Sequence, residues 1–456
     1  MSGGDGPATG AGPPTLADDC FAADDPPMRL DEALARLDAR IGPVAGIETV
    51  ALAEAGGRVL AEDAVADRAI PPHDNAAVDG YAVFFDDLAE GGAAETRLPV
   101  AGRIAAGHPV SRTPRRGEAW RVLTGAPMPG GPGSPDTIFM QEDCAPEPAE
   151  PAPAGPVPDG AEAGPDPAFV RLPAGIRRGA NYRLAGEDVG SGDTVLRAGR
   201  VLRPADVGML AALGRPRAAV YRRLRAAVLS TGDEVNEPGT PLPPGGIYDA
   251  NRYQLLAGLR AAGLEVIDLG VLRDDRQAIG EALARGAAAA DVVVSSGGMS
   301  TGAEDHVRAA VEGAGGRLWA WRLAVKPGRP VALGRLGPDG RGPPFIGLPG
   351  NPVAVAVSFE ILARPLLARL AGATPTPPRR IPVRAGFAMT RKPGRREFVR
   401  ARLSDDKDGA PVAERYPRDG AGILSSMLFA EGFVELAEDT TEVREGETVW
   451  FRMPAV

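Results

Sequence analysis

Apolar positions change rhythm along this chain, and each change marks a different kind of element. MRLDEALARLDARI places Leu30, Ala33, Leu34, Leu37 and Ile41 on one face, which predicts an amphipathic helix starting near Arg29. IETVALAEAGGRVLAEDAVADRAIPP then reads as short strand and helix pieces ending at a Pro-Pro stop. From Asn75 to Asp188 short alternating runs dominate (YAVFF, RLPVAGRI, AWRVL, TIFMQED), the pattern of a small β-rich module. It is interrupted near 145–167 by CAPEPAEPAPAGPVPDGAEAGPDPA, which has too few apolar residues for a core and reads as a mobile loop. GDTVLRAGRVLRPADVGMLAALG adds a second β-rich piece closing in a helix.

Leu224 begins another rhythm. LRAAVLS, LEVIDLG and DVVVSSGG are short apolar runs of buried-strand type. They alternate with the helix candidates NRYQLLAGLRAAG, RQAIGEALARGAAA and EDHVRAAVEGAGG. WAWRLAV and FIGLPG supply two more strands, and a helix from Pro352, kinked at Pro365, closes the unit. This alternation predicts a parallel sheet covered on both faces. After the Pro-rich ATPTPPRR, RIPVRAGFAM, EFVRARLS, GFVELAED and ETVWFRM predict a β-domain. The expected architecture is multidomain α/β plus β. A disordered tail (1–26) precedes a mixed α/β linker domain (27–74 with 189–223). The β-rich module (75–188), the α/β domain (224–372) and the C-terminal β-domain (379–456) follow.

Composition narrows the function. The net charge of −9 argues against a protein that coats nucleic acid or an anionic membrane, so an anionic substrate needs a locally basic pocket. Cys20 and Cys144 fit no zinc spacing and no disulfide framework. No apolar run reaches membrane-spanning length, and MSGGDGPATGAGPP lacks the basic and apolar regions of a signal peptide, so the cytoplasm is expected.

In open α/β sheets, ligands bind beyond the carboxyl ends of the strands. There the chain offers Ser230-Thr231-Gly232-Asp233-Glu234, where hydroxyls and carboxylates suit a polar ligand or a cation and equally suit a capped turn. In the next loop Asp275 reads as a helix N-cap, leaving Asp274 free to enter the crevice. Ser295-Ser296-Gly297-Gly298-Met299-Ser300-Thr301-Gly302 lies between a buried strand and a helix, as an anion-binding turn requires. Pro349-Gly350-Asn351-Pro352 joins another strand to a helix, with Asn351 placed as a cap. Arg322, Lys326 and Arg329 sit on a turn stiffened by proline and glycine, which suits a phosphate or oxyanion. Acids and cations in one crevice suggest phosphate chemistry with a divalent ion. His73, His108 and His306 fall in no HExxH or GxSxG pattern, so a Ser-His-Asp triad is not expected. Asp79, before Gly80 and Tyr81, is not explained by a folding turn; a site completed by a second domain or subunit would explain it.

DNAAVDGYAV, LTGAPMP, GEDV, STGDE, IYDANR, GVLRDD, SSGGMSTGAED, VKPGRP and LPGNP occur in the order seen in molybdopterin molybdenumtransferases, the MoeA and gephyrin E-domain family, which the chain resembles from about Leu30 to its C-terminus. The resemblance implies the last step of molybdenum cofactor synthesis, in which adenylylated molybdopterin and molybdate, with a divalent cation such as Mg²⁺, give molybdenum cofactor and AMP. It implies a homodimer with the site between the α/β domain of one subunit and the Asp79 module of the other, and an exchange of substrate with a molybdopterin adenylyltransferase.

The resemblance also implies roles. Asp79, Thr124, Arg183 and Asp188 come from the small module; Glu234, Asp274 and Asp305 form the acidic, metal-holding cluster. Lys326 with Arg322 and Arg329 faces phosphate or molybdate. Ser296, Gly297, Gly298 and Ser300 form the glycine-rich turn, Pro349 and Pro352 shape the ligand-binding turn, and Arg400 reaches in from the last domain. There are departures. Ala76 and Val78 replace a serine and a methionine, Arg322 stands where some relatives have lysine, and Ala421 where some have serine. Glu304 is one place from the family's glutamate, a turn of about 100° on a helix. Two other readings are open: a molybdopterin adenylyltransferase built on a related α/β domain, and a scaffold protein.

Overall fold

The computed structural model describes residues 27–109, 112–129, 133–147, 167–298 and 306–454. The N-terminal tail (1–26), Cys20, most of the Pro/Ala insert, and 299–305, with Ser300, Glu304 and Asp305, lie outside the described residues. The described residues pack as two compact units, one drawn from Met1–Glu62, Ala198–Arg203 and Arg217–Val456, the other from Asp63–Arg197 and Pro204–Pro216.

In the larger unit the expected first helix forms as α1 (Leu30–Arg40), burying Leu30, Ala33 and Leu37. The α/β elements follow: β1 (Arg225–Thr231), α2 (Ala250–Ala261), β2 (Glu265–Leu272), α3 (Arg276–Ala289), β3 (Val292–Ser296), α4 (His306–Gly313), β4 (Arg317–Arg322), β5 (Pro330–Arg335), β6 (Pro344–Leu348), α5 (Pro352–Ser358) and α6 (Arg364–Leu370). Their sheet has the order β2-β1-β3-β6-β5-β4. The first four strands are parallel; β5 pairs antiparallel with β6 and β4 antiparallel with β5, so that β5 alone runs against the others at the extended edge. The fully parallel expectation is corrected there, because PVALGR (β5) went unread as a strand and reverses the chain.

Alternation within each strand divides the side chains between two cores. Ala226, Val228, Val292, Val294, Ile346 and Leu348 pack on the α1, α2 and α5 side; Ala227, Leu229, Val293 and Phe345 pack with Ile279, Leu283, Val307 and Val311 on the other. The kink expected at Pro365 takes the form of a π-turn, Phe359–Ala363, between α5 and α6. Pro365 has no N–H to give the preceding turn, and a widened turn absorbs the loss.

The C-terminal β-domain has the strand order Val325–Lys326, Arg396–Asp405, Pro411–Arg415, Arg380–Ala385, Thr448–Arg452 and Gly432–Leu436, and a further pairing of Arg396–Asp405 with Gly432–Leu436 closes it on itself. WAWRLAV is therefore divided. Its first part is β4, and Val325–Lys326 leaves that sheet to pair in parallel with Arg396 and Glu397.

The smaller unit has a six-stranded sheet in the order Thr137–Met140, Gly80–Val83, Ala119–Val122, Thr96–Ile104, Phe169–Leu172 and Ala145–Glu147. Ala82, Trp120, Val122 and Ile138 fill one face, and Tyr81, Val83, Phe139 and Val170 the other.

Candidate functional site

The parallel strands of the larger unit end around a cavity of about 980 Å³. Four turns build it. After β1, Gly232 turns the chain and Glu234 enters the lining; after β2, Asp274 does so, while Asp275 caps α3 by accepting from Ala278 N at 2.7 Å. After β3 come Ser296, Gly297 and Gly298. Gly297 and Gly298 have φ of 87° and 67°, and a Cβ on Gly297 would stand 2.6 Å from Thr231 O. Only glycine satisfies both demands. After β6 come Pro349 to Pro352, with Ser296 Oγ donating to Pro349 O (3.3 Å) and Asn251 Nδ2 to Gly350 O (2.6 Å).

Asn351 stands at the N-cap of α5, but its side chain makes no capping bond. The cap expected from sequence is replaced by a tertiary one, in which Val353 N donates to Ala421 O (3.0 Å), a carbonyl of the C-terminal domain. That domain also lines the cavity with Glu397, Arg400, Asp419, Gly420 and Ala421.

Acids and cations meet here. Burial pushes the Asp274 carboxyl above its ordinary value, a hydrogen bond from the Asp233 backbone partly offsets this, and the Asp233 and Glu234 carboxylates push it up further; Asp274 N in turn donates to Asp233 Oδ1 at 3.1 Å. Lys326 Nζ lies 2.7 Å from Glu397, whose other oxygen meets Arg391 Nε at 2.9 Å. Arg400 is 8 % exposed; it donates from Nη2 to Arg418 O (3.2 Å), and its Nε has no hydrogen-bond partner among the described residues. Burial holds its guanidinium below the ordinary arginine value, as expected for a cation removed from water before its counter-ion arrives.

The cavity thus gathers Glu234, Asp274, Lys326, Arg329, Ser296, Gly297, Gly298, Pro349, Pro352 and Arg400. Arg322 ends the edge strand β4 and is not in the lining. Among the described residues no three or more His, Cys, Asp or Glu side chains form a group that could hold a metal ion.

In the smaller unit, Thr124 donates from both its N–H and its hydroxyl to Asp79 Oδ1, each at 2.7 Å, and these bonds hold the carboxyl below its ordinary value. Asn75–Ala76 is tied on one side to the turn at Gly125 and Ala126, on the other to Tyr182–Arg183. Arg183 is ion-paired to Glu187, and Asp188 is exposed, its N–H donating to Ile70 O. Cys144 is raised to about 12, chiefly by burial, which makes it a poor nucleophile.

Sequence reading passed over Thr231, Asp249 and Glu397 as individual site residues. Asp249 accepts from Ser230 Oγ (3.2 Å) and caps α2 through Arg252 N (3.0 Å), and the buried Arg252 joins it to Asp268 and Glu237. IYDANR ahead of a helix carried the capping signal; nothing in REFV indicated that Glu397 pairs with Lys326.

Family comparisons cover most of the chain. Residues 28–214 match the MoeA N-terminal region (domain I and II), 227–369 the probable molybdopterin binding domain, and 382–451 the MoeA C-terminal region (domain IV). The chain is 34% identical over 423 residues to the molybdopterin molybdenumtransferase of Haemophilus influenzae, covering 92% of this chain and 97% of that protein. The chain belongs to the molybdopterin molybdenumtransferase (MoeA) family. Another member, molybdopterin molybdenumtransferase 2 of Mycobacterium tuberculosis, is 37% identical over 408 residues, 87% of this chain and 93% of the relative. The crystal structure of the molybdopterin biosynthesis moeA protein from Pyrococcus horikoshii OT3 superposes with a TM-score of 0.74 at 30% identity, over 93% of this chain and 99% of that one. Because MoeA-family matches include the Asp79 module and the C-terminal domain, the adenylyltransferase and scaffold readings are not kept.

Proposed function

We propose that this chain inserts molybdenum into molybdopterin, converting adenylyl-molybdopterin and molybdate into molybdenum cofactor and AMP. The observation that carries the reading is the cavity at the parallel strand ends, where Lys326 and the buried Arg400 face a glycine-lined turn and Asp274. The bond to be broken is the phosphoanhydride joining molybdopterin phosphate to AMP. Lys326, Arg329 and Arg400 neutralise phosphoryl or molybdate oxygens, and the backbone N–H of Gly298 adds a donor. Lys326 is held by Glu397 and Arg400 by burial and its bond to Arg418 O before substrate arrives, so little reorganisation of these two is needed as charge develops.

The donors suit a hard divalent cation, being oxygen-only and crowded with like charge at Asp274. Glu234 and Asp274 would hold Mg²⁺, with Asp305 as the third ligand implied by the family pattern. When bound, the ion would supply neutralising charge to the phosphoanhydride oxygens. Ser296, Ser300, Pro349, Pro352 and Arg322 belong to the same substrate-binding proposal.

Asp79, Thr124, Arg183 and Asp188 are read as the contribution of the partner subunit in a homodimer, and the residue divisions given above as its domains. A molybdopterin adenylyltransferase would deliver the substrate. No helix among the described residues is long and apolar enough to cross a membrane, which accords with the proposed cytoplasmic setting.

The test is AMP release from adenylyl-molybdopterin by purified protein, with and without molybdate and Mg²⁺. Release coupled to molybdate is expected, and Asp274→Ala should lower it by about two to three powers of ten. AMP release that ignores molybdate, or an Asp274→Ala enzyme as fast as wild type, would overturn the reading or the assignment respectively.

A further inference from the structure

Three hydroxyl-bearing residues stand at the carboxyl ends of β1 and β3 and belong to the cavity lining: Ser230, Thr231 and Ser296. Two are already committed. Ser230 Oγ donates to Asp249 and Ser296 Oγ to Pro349 O. Thr231 is different. It is 4 % exposed, and its Oγ1 is buried with no hydrogen-bond partner among the described residues.

A buried hydroxyl without a partner is destabilising, so proteins seldom keep one without a use. The surroundings indicate the use. A Cβ on Gly298 would come within 2.9 Å of Thr231 Oγ1, and one on Gly297 within 3.4 Å of it. Both positions therefore keep the space beside the buried hydroxyl free of a side chain. Lys326, Arg329 and Arg400 line the same cavity, so an anion is the ligand it is charged to accept.

From this we infer that Thr231 is a substrate-contacting residue whose Oγ1 donates a hydrogen bond to a phosphoryl oxygen of the bound anhydride. The inference rests on the molybdenum-insertion reading for the identity of the ligand. The free protein holds the donor unsatisfied and dry, and the ligand satisfies it, so the bond is made at the ligand's arrival without breaking a competing one.

The experiment compares Thr231→Val, which keeps the branched shape and removes the hydroxyl, with Thr231→Ser, which keeps the hydroxyl. Binding of AMP and the KM for adenylyl-molybdopterin are measured beside thermal unfolding of the free protein. Thr231→Val should weaken ligand binding by roughly tenfold or more, leave the Tm of the free protein unchanged or raised, and leave Thr231→Ser close to wild type. Weakening for adenylyl-molybdopterin with AMP unchanged would place the bond on the molybdopterin phosphate; weakening for both would place it on the adenylyl phosphate. Unchanged binding of both ligands, or a lowered Tm that Thr231→Ser restores without any change in binding, would overturn the inference. Should wild-type protein release no AMP, the insertion reading fails instead, and AMP titration of the two variants still tests the hydroxyl.

Discussion

Lys326 Nζ and Glu397 Oε1 stand 2.7 Å apart, joining a strand that leaves the α/β domain to the first long strand of the C-terminal barrel. Glu397 is almost fully buried and also accepts from Arg391, so one carboxylate fixes two cations. Lys326 itself remains partly open to the cavity. Lys326→Met is expected to lower the rate of AMP release by two to three powers of ten. Glu397→Gln leaves Lys326 charged but loosely held, so a smaller loss, of roughly tenfold, is expected. Single-turnover kinetics of the two variants check the order.

If the site is shared between subunits, two inactive variants should rescue each other. Asp79→Ala and Asp274→Ala homodimers should each be inactive. After joint refolding, half the dimers are hybrids with one intact site of two, so about a quarter of wild-type activity is expected. No recovery in a mixture shown to contain hybrids would place both residues in one subunit's site.

Gly298 has a φ of 67°, and a Cβ there would collide with Val307 and approach Thr231 Oγ1 to 2.9 Å. Gly298→Ala should destabilise the fold by roughly 1–3 kcal/mol through backbone strain and weaken AMP binding. Urea unfolding with and without AMP separates the two effects.

Asp291 precedes β3 and anchors the start of β1. Arg222 donates to both its oxygens at 2.9 Å, and Arg225 N donates at 2.8 Å. Burial alone would raise the carboxyl, but the Arg222 and Arg225 hydrogen bonds outweigh it and hold the group below its ordinary value. A folded-state value lower than the unfolded one means that unfolding takes up a proton as the solution turns acid. The contribution is therefore complete above about pH 4 and is lost as pH falls through the folded-state value. Asp291→Ala should cost roughly 1–3 kcal/mol at pH 7 and less in stronger acid, which urea midpoints at pH 7 and pH 3 would show.

Much of the α/β domain was legible because its signals are local. Buried Val runs, glycine turns and the Asp275 cap each carry their reason within a few residues. β5 was missed because PVALGR opens with proline, directly after a basic, proline- and glycine-rich turn. The glycine-rich turn was read over Ser295 to Gly302 as a candidate anion site, yet the hydroxyl with most to gain from a ligand, Thr231, is marked only by what its neighbours do not do. Likewise the cap of α5 was assigned to Asn351 on local grounds, and Ala421, about seventy residues on, provides it. Glu397 was invisible for the same reason, since pairing of a lysine with a distant strand leaves no spacing to read.

The departure of Val325–Lys326 from the central sheet bears on how this enzyme could be cut or recombined. A fragment trimmed to the α/β domain would keep the glycine turns and Asp274 but strip Lys326 of the strand that anchors it and α5 of its cap. A chimera exchanging C-terminal barrels between relatives would redraw the proposed active site as well as the periphery. The modular unit for engineering is the α/β domain with its barrel, transplanted together.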